Sequence, residues 1–148
     1  MKKTTTIDPR EVLERYLRTG LAGDRDAQAD MFLEDGVVEF PFAPPGTPRR
    51  FEGREEIRAV LAALGRARAG MRVDEDRTVL EVHETADPEV LVAEMEIHVD
   101  VEATGDTLRV PYVQVFRIRH GGIALFRDYW ATTTADFVKA ALGDPGTA

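Results

Sequence analysis

VLVAEMEIHVDVEATGDTLRVPYVQVFRIRHGGIALFRDYWAT, residues 90–132, decides the fold. Strands read out of it at VLVAEMEIHVDVE (90–102), TLRVPYVQVFRIRH (107–120) and GIALFRDYWAT (122–132). Each mixes β-branched and aromatic residues with polar ones, and ATGD and HGG stand between them as turns. Separators this short join antiparallel neighbours as hairpins. Upstream, MRVDEDRTVLEVHE (71–84) reads as one more strand, set off by ADPE (86–89).

Side chains alternate faces along a strand, so each strand divides into two rows. On 94–102 the even row is Glu94, Glu96, His98, Asp100 and Glu102, and the odd row is Met95, Ile97, Val99 and Val101. The next strand has Leu108, Val110, Tyr112, Gln114, Phe116 and Ile118 on its even row; the last has Ala124, Phe126, Asp128 and Trp130. These last two rows are large and aromatic with a few polar groups, the composition of a ligand-pocket wall.

The first half of the chain is helical in character. Asp8-Pro9 opens a helix, because aspartate caps well and proline suits the first helical position. Val12, Leu13, Tyr16 and Leu17 follow at helical spacing. GDRDAQADMFLEDG (23–36) reads as a second short helix capped by Asp24, and VVEFPF (37–42) as a short strand. APPGTPRR (43–50) is a loop, since three prolines and a glycine forbid regular structure. REEIRAVLAALGRA (54–67) is a third helix with Ile57, Val60, Leu61 and Leu64 in one stripe. ADFVKAALG (135–143) reads as a final helical turn or two. Three helices before a meander of long strands predict an α+β domain: a cone-shaped, curved antiparallel sheet wrapped around the N-terminal helices and enclosing a pocket. The 148 residues fit one domain, with loose tails at 1–7 and 143–148.

Composition narrows the chemistry. A net charge of −8 argues against nucleic acid and anionic membranes as partners. The absence of cysteine excludes disulfides, thiol catalysis and thiolate metal sites. His83, His98 and His120 have no ligand-like spacing, so no metal is expected, and acid–base chemistry of the kind read below needs no organic cofactor. No apolar run approaches the ~20 residues that span a bilayer, and the N-terminus has no signal-peptide core, which makes a cytoplasmic location the expectation.

An acid inside an apolar strand is costly unless it is paired or has a task. Asp128 in IALFRDYW is such an acid; Arg127 points to the other face and cannot pair with it directly in an unbroken strand. His98 and Asp100 can be read in two ways. In the first they lie in water with their glutamate neighbours. In the second they face the pocket, and Met95, Ile97, Val99 and Val101 lie on the outer sheet face with Val113 and Val115, to be covered by a second copy of the chain.

RYLRTGLAGDRDAQADMFLEDGVVEFPF (15–42), FEGREEI (51–57) and FRDYW (126–130) resemble the nuclear-transport-factor-2-like superfamily, and within it the SnoaL-like polyketide cyclase group. Ketosteroid isomerase and limonene epoxide hydrolase are relatives. The resemblance spans roughly residues 8–140 and implies the cone fold with a pocket, while the superfamily holds enzymes and non-catalytic binding modules alike. Tyr16 matches the steroid isomerase tyrosine, but the base position falls on Phe40, which takes no proton, and the sheet aspartate falls near Gln114. Against the hydrolase, His98 and Asp100 stand where an arginine and an aspartate would, and Asp128 matches the final aspartate. The resemblance favours the pocket-facing reading of His98 and Asp100.

The expectation is then a cofactor-independent acid–base enzyme, of cyclase, isomerase or epoxide-hydrolase type, with Asp128, Asp100 and His98 catalytic. Tyr16, Phe40, Phe42, Tyr112, Gln114, Phe116, Phe126 and Trp130 would line the site around a small hydrophobic ligand. Two copies would pair through the outer sheet face. The alternative is a binding or dimerisation module of the same fold.

Overall fold

A computed structural model of the chain describes residues 6–130 and Leu142. Helix α1 (Pro9–Leu21) begins where Asp8 accepts a hydrogen bond from the Arg10 N–H, with Pro9 at the first helical position. Helix α2 (Arg25–Asp30) is capped by Asp24, whose carboxylate accepts from the Ala27 N–H. It is shorter than its pattern predicts, because the chain turns at Met31 and enters strand β1 (Phe32–Glu39). Phe32, read as part of the helix, is instead the buried start of a strand that continues through Val38, which is also buried. The loop expected over 43–50 gives up its last residue to the short strand β2 (Arg50–Glu52). Helix α3 (Arg54–Ala67) follows Gly53, whose φ of 92° suits glycine.

The four long strands run as expected: β3 (Met71–Glu84), β4 (Val90–Val101), β5 (Thr107–Arg119) and β6 (Gly122–Trp130). Among the described residues they belong to one six-stranded sheet in the order β2-β1-β6-β5-β4-β3. Every pairing is antiparallel except β1 with β6, which is parallel. The sheet stays open, with β2 and β3 at its edges. His120 and Gly121 close the β5–β6 turn with φ of 52° and 76°, the left-handed pair that matches strand twist in tight hairpins.

The helices lie in the concave face. Tyr16 from α1 makes edge or tilted contacts with Phe32, Phe116 and Phe126, joining helix to sheet. Ile57, Val60 and Leu61 bury the stripe of α3. On β4 the residues turned inward are Leu91, Ala93, Met95, Ile97 and Val99. The final helical segment expected over 135–143 lies outside the described residues apart from Leu142, which packs against the core.

Candidate functional site

The inner rows of β5 and β6 meet α1, α2 and α3 at a cavity of about 80 Å³. Strand register builds its floor. Gln114 and Asp128 are direct cross-strand neighbours, flanked along the same strands by Phe116 opposite Phe126 and Tyr112 opposite Trp130. Tyr16 and Gln28 come from the helices, and Arg25 and Arg68 from a helix start and a helix end.

Asp128 is the only carboxylate lining this cavity among the described residues. It keeps a little accessible surface, which faces the cavity. Burial dominates its titration and raises the carboxyl to about 7, against the opposing pull of Arg68 and of the Gln114 amide. The Gln114 Nε2 donor lies 3.5 Å from Asp128 Oδ1, the far limit of a hydrogen bond, so it stabilises the ionised carboxylate only weakly. The Gln114 Oε1 atom is buried with no protein partner among the described residues.

Two phenols share this space. Burial pushes both the Tyr16 and Tyr112 hydroxyls up, so both stay neutral and able to donate. Arg68 Nη2 donates to Tyr112 Oη at 2.8 Å, which leaves the phenolic hydrogen for another acceptor. The charge of Asp128 acts on both phenols, a sign that all three polar groups converge. Gln28 is held by its Nε2 donating to the Tyr16 carbonyl at 3.1 Å and by its Oε1 accepting from Arg25 Nη1 at 2.9 Å.

His98 and Asp100 do not join Asp128. The pocket-facing reading of β4 is corrected: its apolar odd residues point inward, and His98 and Asp100 lie on the opposite face. The physical reason is the period of two. One row of β4 must fill the core, and Met95, Ile97 and Val99 do so at far lower cost than three acids and an imidazole. On the outer face His98 Nε2 sits 3.1 Å from Glu96 Oε1, while Asp100 accepts from Thr107 Oγ1 at 3.0 Å and pairs with Arg72 and Arg77.

Phe42 is corrected likewise. It is 62% exposed and packs edge-on against Tyr129 on the outer face, away from the cavity. Phe40 and Phe126 line the cavity with Tyr16, Tyr112 and Gln114. Phe116 and Trp130 are buried beside it in the core. The inward turn of the β4 odd row takes Met95, Ile97 and Val99 out of the outer apolar surface, where Phe42, Val79, Pro111, Val113 and Tyr129 line a shallow depression bordered by Glu81, Glu94 and Glu96. On that face Glu81, His83 and Glu94 bring ligand-type atoms within 4.8 Å of one another, all exposed, with His83 bonded to Glu94.

Arg25, Gln28 and Arg68 were not singled out from sequence. Their signal was faint: polar residues at helix ends, where charge is ordinarily solvated. Among the described residues no helix is long and apolar enough to cross a membrane.

Comparison with known proteins agrees with this architecture. An uncharacterized PhzA/B-like protein of Pseudomonas aeruginosa is 38% identical over 126 residues, 84% of each chain. The uncharacterized protein YesE of Bacillus subtilis is 30% identical over 133 residues, covering 90% of this chain and 86% of its own. Among solved structures, a Bacillus subtilis protein provisionally described as an isomerase superposes with a TM-score of 0.72 at 28% identity, covering 93% of this chain and 94% of that one. SalBIII, an epoxide hydrolase/cyclase-like enzyme with a role in pyran ring formation in the polyether salinomycin, superposes with a TM-score of 0.64. At 19% identity, over 84% of this chain and 92% of its own, SalBIII supports the fold alone. The SnoaL-like domain model matches residues 13–126, most of the sheet, most of α1 and all of α2 and α3, and the chain belongs to that family.

Proposed function

We propose that the protein is an acid–base enzyme in which Asp128 moves a proton at a carbon next to a carbonyl of a small molecule held in the inner cavity. The observation that carries this reading is a lone carboxyl raised to about 7 by burial, facing open space between two neutral phenols. Near neutrality such a group populates both its acid and base forms, the condition for efficient proton transfer in both directions.

The steps follow from the groups present. Ionised Asp128 takes a proton from the carbon, and the electron pair moves onto the carbonyl oxygen as an enolate. The Tyr112 hydroxyl, polarised by Arg68, donates a hydrogen bond to that oxygen; Tyr16 is the other phenol in reach of the cavity. Protonated Asp128 then returns the proton, to a different carbon in an isomerisation or to a new alkoxide in an aldol-type ring closure. One carboxyl suffices for either. Epoxide opening by paired acids fits less well, because Asp100 lies on the other side of the sheet.

The test is hydrogen exchange from D2O into the α-carbon of small cyclic ketones, followed by proton NMR. Wild-type protein should accelerate it, and Asp128→Asn should not, with an unchanged circular dichroism spectrum. Equal exchange by the Asn variant removes Asp128 from the chemistry.

A second reading, a non-catalytic binding module, is favoured by Phe40. Its ring packs on Phe51 and Trp130, so no base stands at that position just past the end of β1. Pairing of two copies across the outer face is a separate proposal resting on exposed Phe42, Val79 and Val113. Sedimentation velocity on Phe42→Ser and Val113→Thr proteins tests it: a dimer should weaken, and an unaltered boundary rejects that face.

A further inference from the structure

Arg25 is placed by two departures from ordinary helix composition. Gly65 lies inside α3, where glycine costs roughly 0.5–1 kcal/mol relative to alanine. A Cβ there would stand 3.0 Å from Arg25 Cγ, so the missing side chain makes room for the arginine stem. Gly20 does the same for its neighbour, since a Cβ on it would lie 2.4 Å from Gln28 Nε2. Both positions let α1 and α3 close on the pair formed by Arg25 and Gln28, whose side chains bond at 2.9 Å.

The guanidinium so placed is unusual on three counts. Among the described residues no carboxylate figures in the charges that act on it, in a chain with a formal charge of −8. Its Nε–H is buried and lacks a partner among the described residues, a costly state for a charged donor. It lies near Arg68, and burial together with that second cation lowers its affinity for its own proton. Arg25 and Arg68 line both the inner cavity and a shallow depression on the surface beside Gly23 and Val73, so they stand at the threshold between the two.

We infer that the cavity takes a small organic acid, whose carboxylate is received at the threshold by Arg25 while its carbon skeleton reaches inward to Asp128. A guanidinium matches a carboxylate in shape and charge. An anion at the depression offsets the positive charge that Arg68 adds beside Arg25. The cavity of about 80 Å³ suits a compact skeleton. The inference rests on the proton-transfer reading only for where the skeleton points; recognition of the carboxylate stands without it.

Benzoate and benzamide share a shape and differ in charge, so calorimetric titration of the full chain with each isolates the carboxylate. Benzoate should bind at least about tenfold more tightly, the effect of one charge-assisted contact. Arg25→Gln should erase the difference, and Arg25→Lys should keep part of it. Equal binding of the two, binding of neither at millimolar concentration, or a benzoate preference untouched by Arg25→Gln overturns the inference. So does inorganic sulfate binding as tightly as benzoate, which would mark a site for bare oxyanions. If Arg25→Gln does not fold, the wild-type comparison with Arg25→Lys still decides. Asp128→Asn separates the two ideas: it should keep the benzoate preference while losing ketone exchange. Exchange without a preference overturns this inference alone, and a preference without exchange in the wild type overturns the proton-transfer reading alone.

Discussion

The two faces of one sheet treat the same side chains differently. On the outer face, acids are matched to cations in the open. Glu89 meets Arg117 and Arg119, Asp100 meets Arg72 and Arg77, and Glu39 meets Arg50 and Arg127. On the inner face Asp128 has a distant amide, two phenols and an arginine across the cavity. The arginines hold Glu89 below the usual carboxylate range, whereas burial raises Asp128 to about 7. How a carboxylate titrates in this molecule therefore depends on which side of a strand it is on, more than on the residue itself.

The largest test of that contrast is catalytic. Asp128→Asn should lower turnover by about 10²–10⁴-fold, the usual contribution of a placed acid or base, while Asp100→Asn changes it less than about twofold. Ketone exchange rates of the two variants make the comparison. Tyr112→Phe should fall between them, with a loss of about 10–100-fold in kcat and little change in KM, because it removes a donor to the developing oxyanion. An equal loss in KM would make Tyr112 a binding group instead.

Stability should carry the same signature. The native carboxyl of Asp128 holds its proton up to about 7, while an unfolded aspartate releases it near the ordinary value of 3.8. Between those values the native state binds more protons than the unfolded one, so stability falls as pH rises. The contribution is complete below about 4 and is lost as pH passes through 7, amounting to on the order of 2–4 kcal/mol. Asp128→Asn should flatten this descent and melt above wild type at pH 8. Thermal melts across the range check it, and an unchanged slope in the variant assigns the effect elsewhere.

The elements were legible where local chemistry was strong. Asp8-Pro9, the alternating strands and the HGG turn each carry a local physical reason, and the structure follows them. The end of α2 was not legible, because MFLEDG carries apolar residues that suit a helix face and a strand alike; tertiary pairing of β1 with β6 decided it. Asp128 was legible as a charge in an apolar strand. The arginines were not, since nothing local tells that Gly20 and Gly65 clear space for side chains from another helix. The face of β4 was legible from its own pattern, and the resemblance to the hydrolase motif pulled the reading to the wrong side.

The smallest expected effect tests that last point. His98→Ala and Asp100→Asn should each change stability by no more than about 1 kcal/mol, the usual range for exposed ion pairs and partly exposed polar groups. Ile97→Asp, one position away, should cost several kcal/mol, since Ile97 is 2% exposed and an aspartate there would be a second buried, unpaired acid. Denaturant melts of the three proteins read the difference. A slip of one residue exchanges every side chain between faces, so no intermediate arrangement blurs the outcome. Comparable losses at 97 and 98 would mean that both faces of β4 are covered, as a second copy of the chain packed on the outer face would cover them. A large loss at 98 alone would place the imidazole inside and restore a paired acid–base site around Asp128.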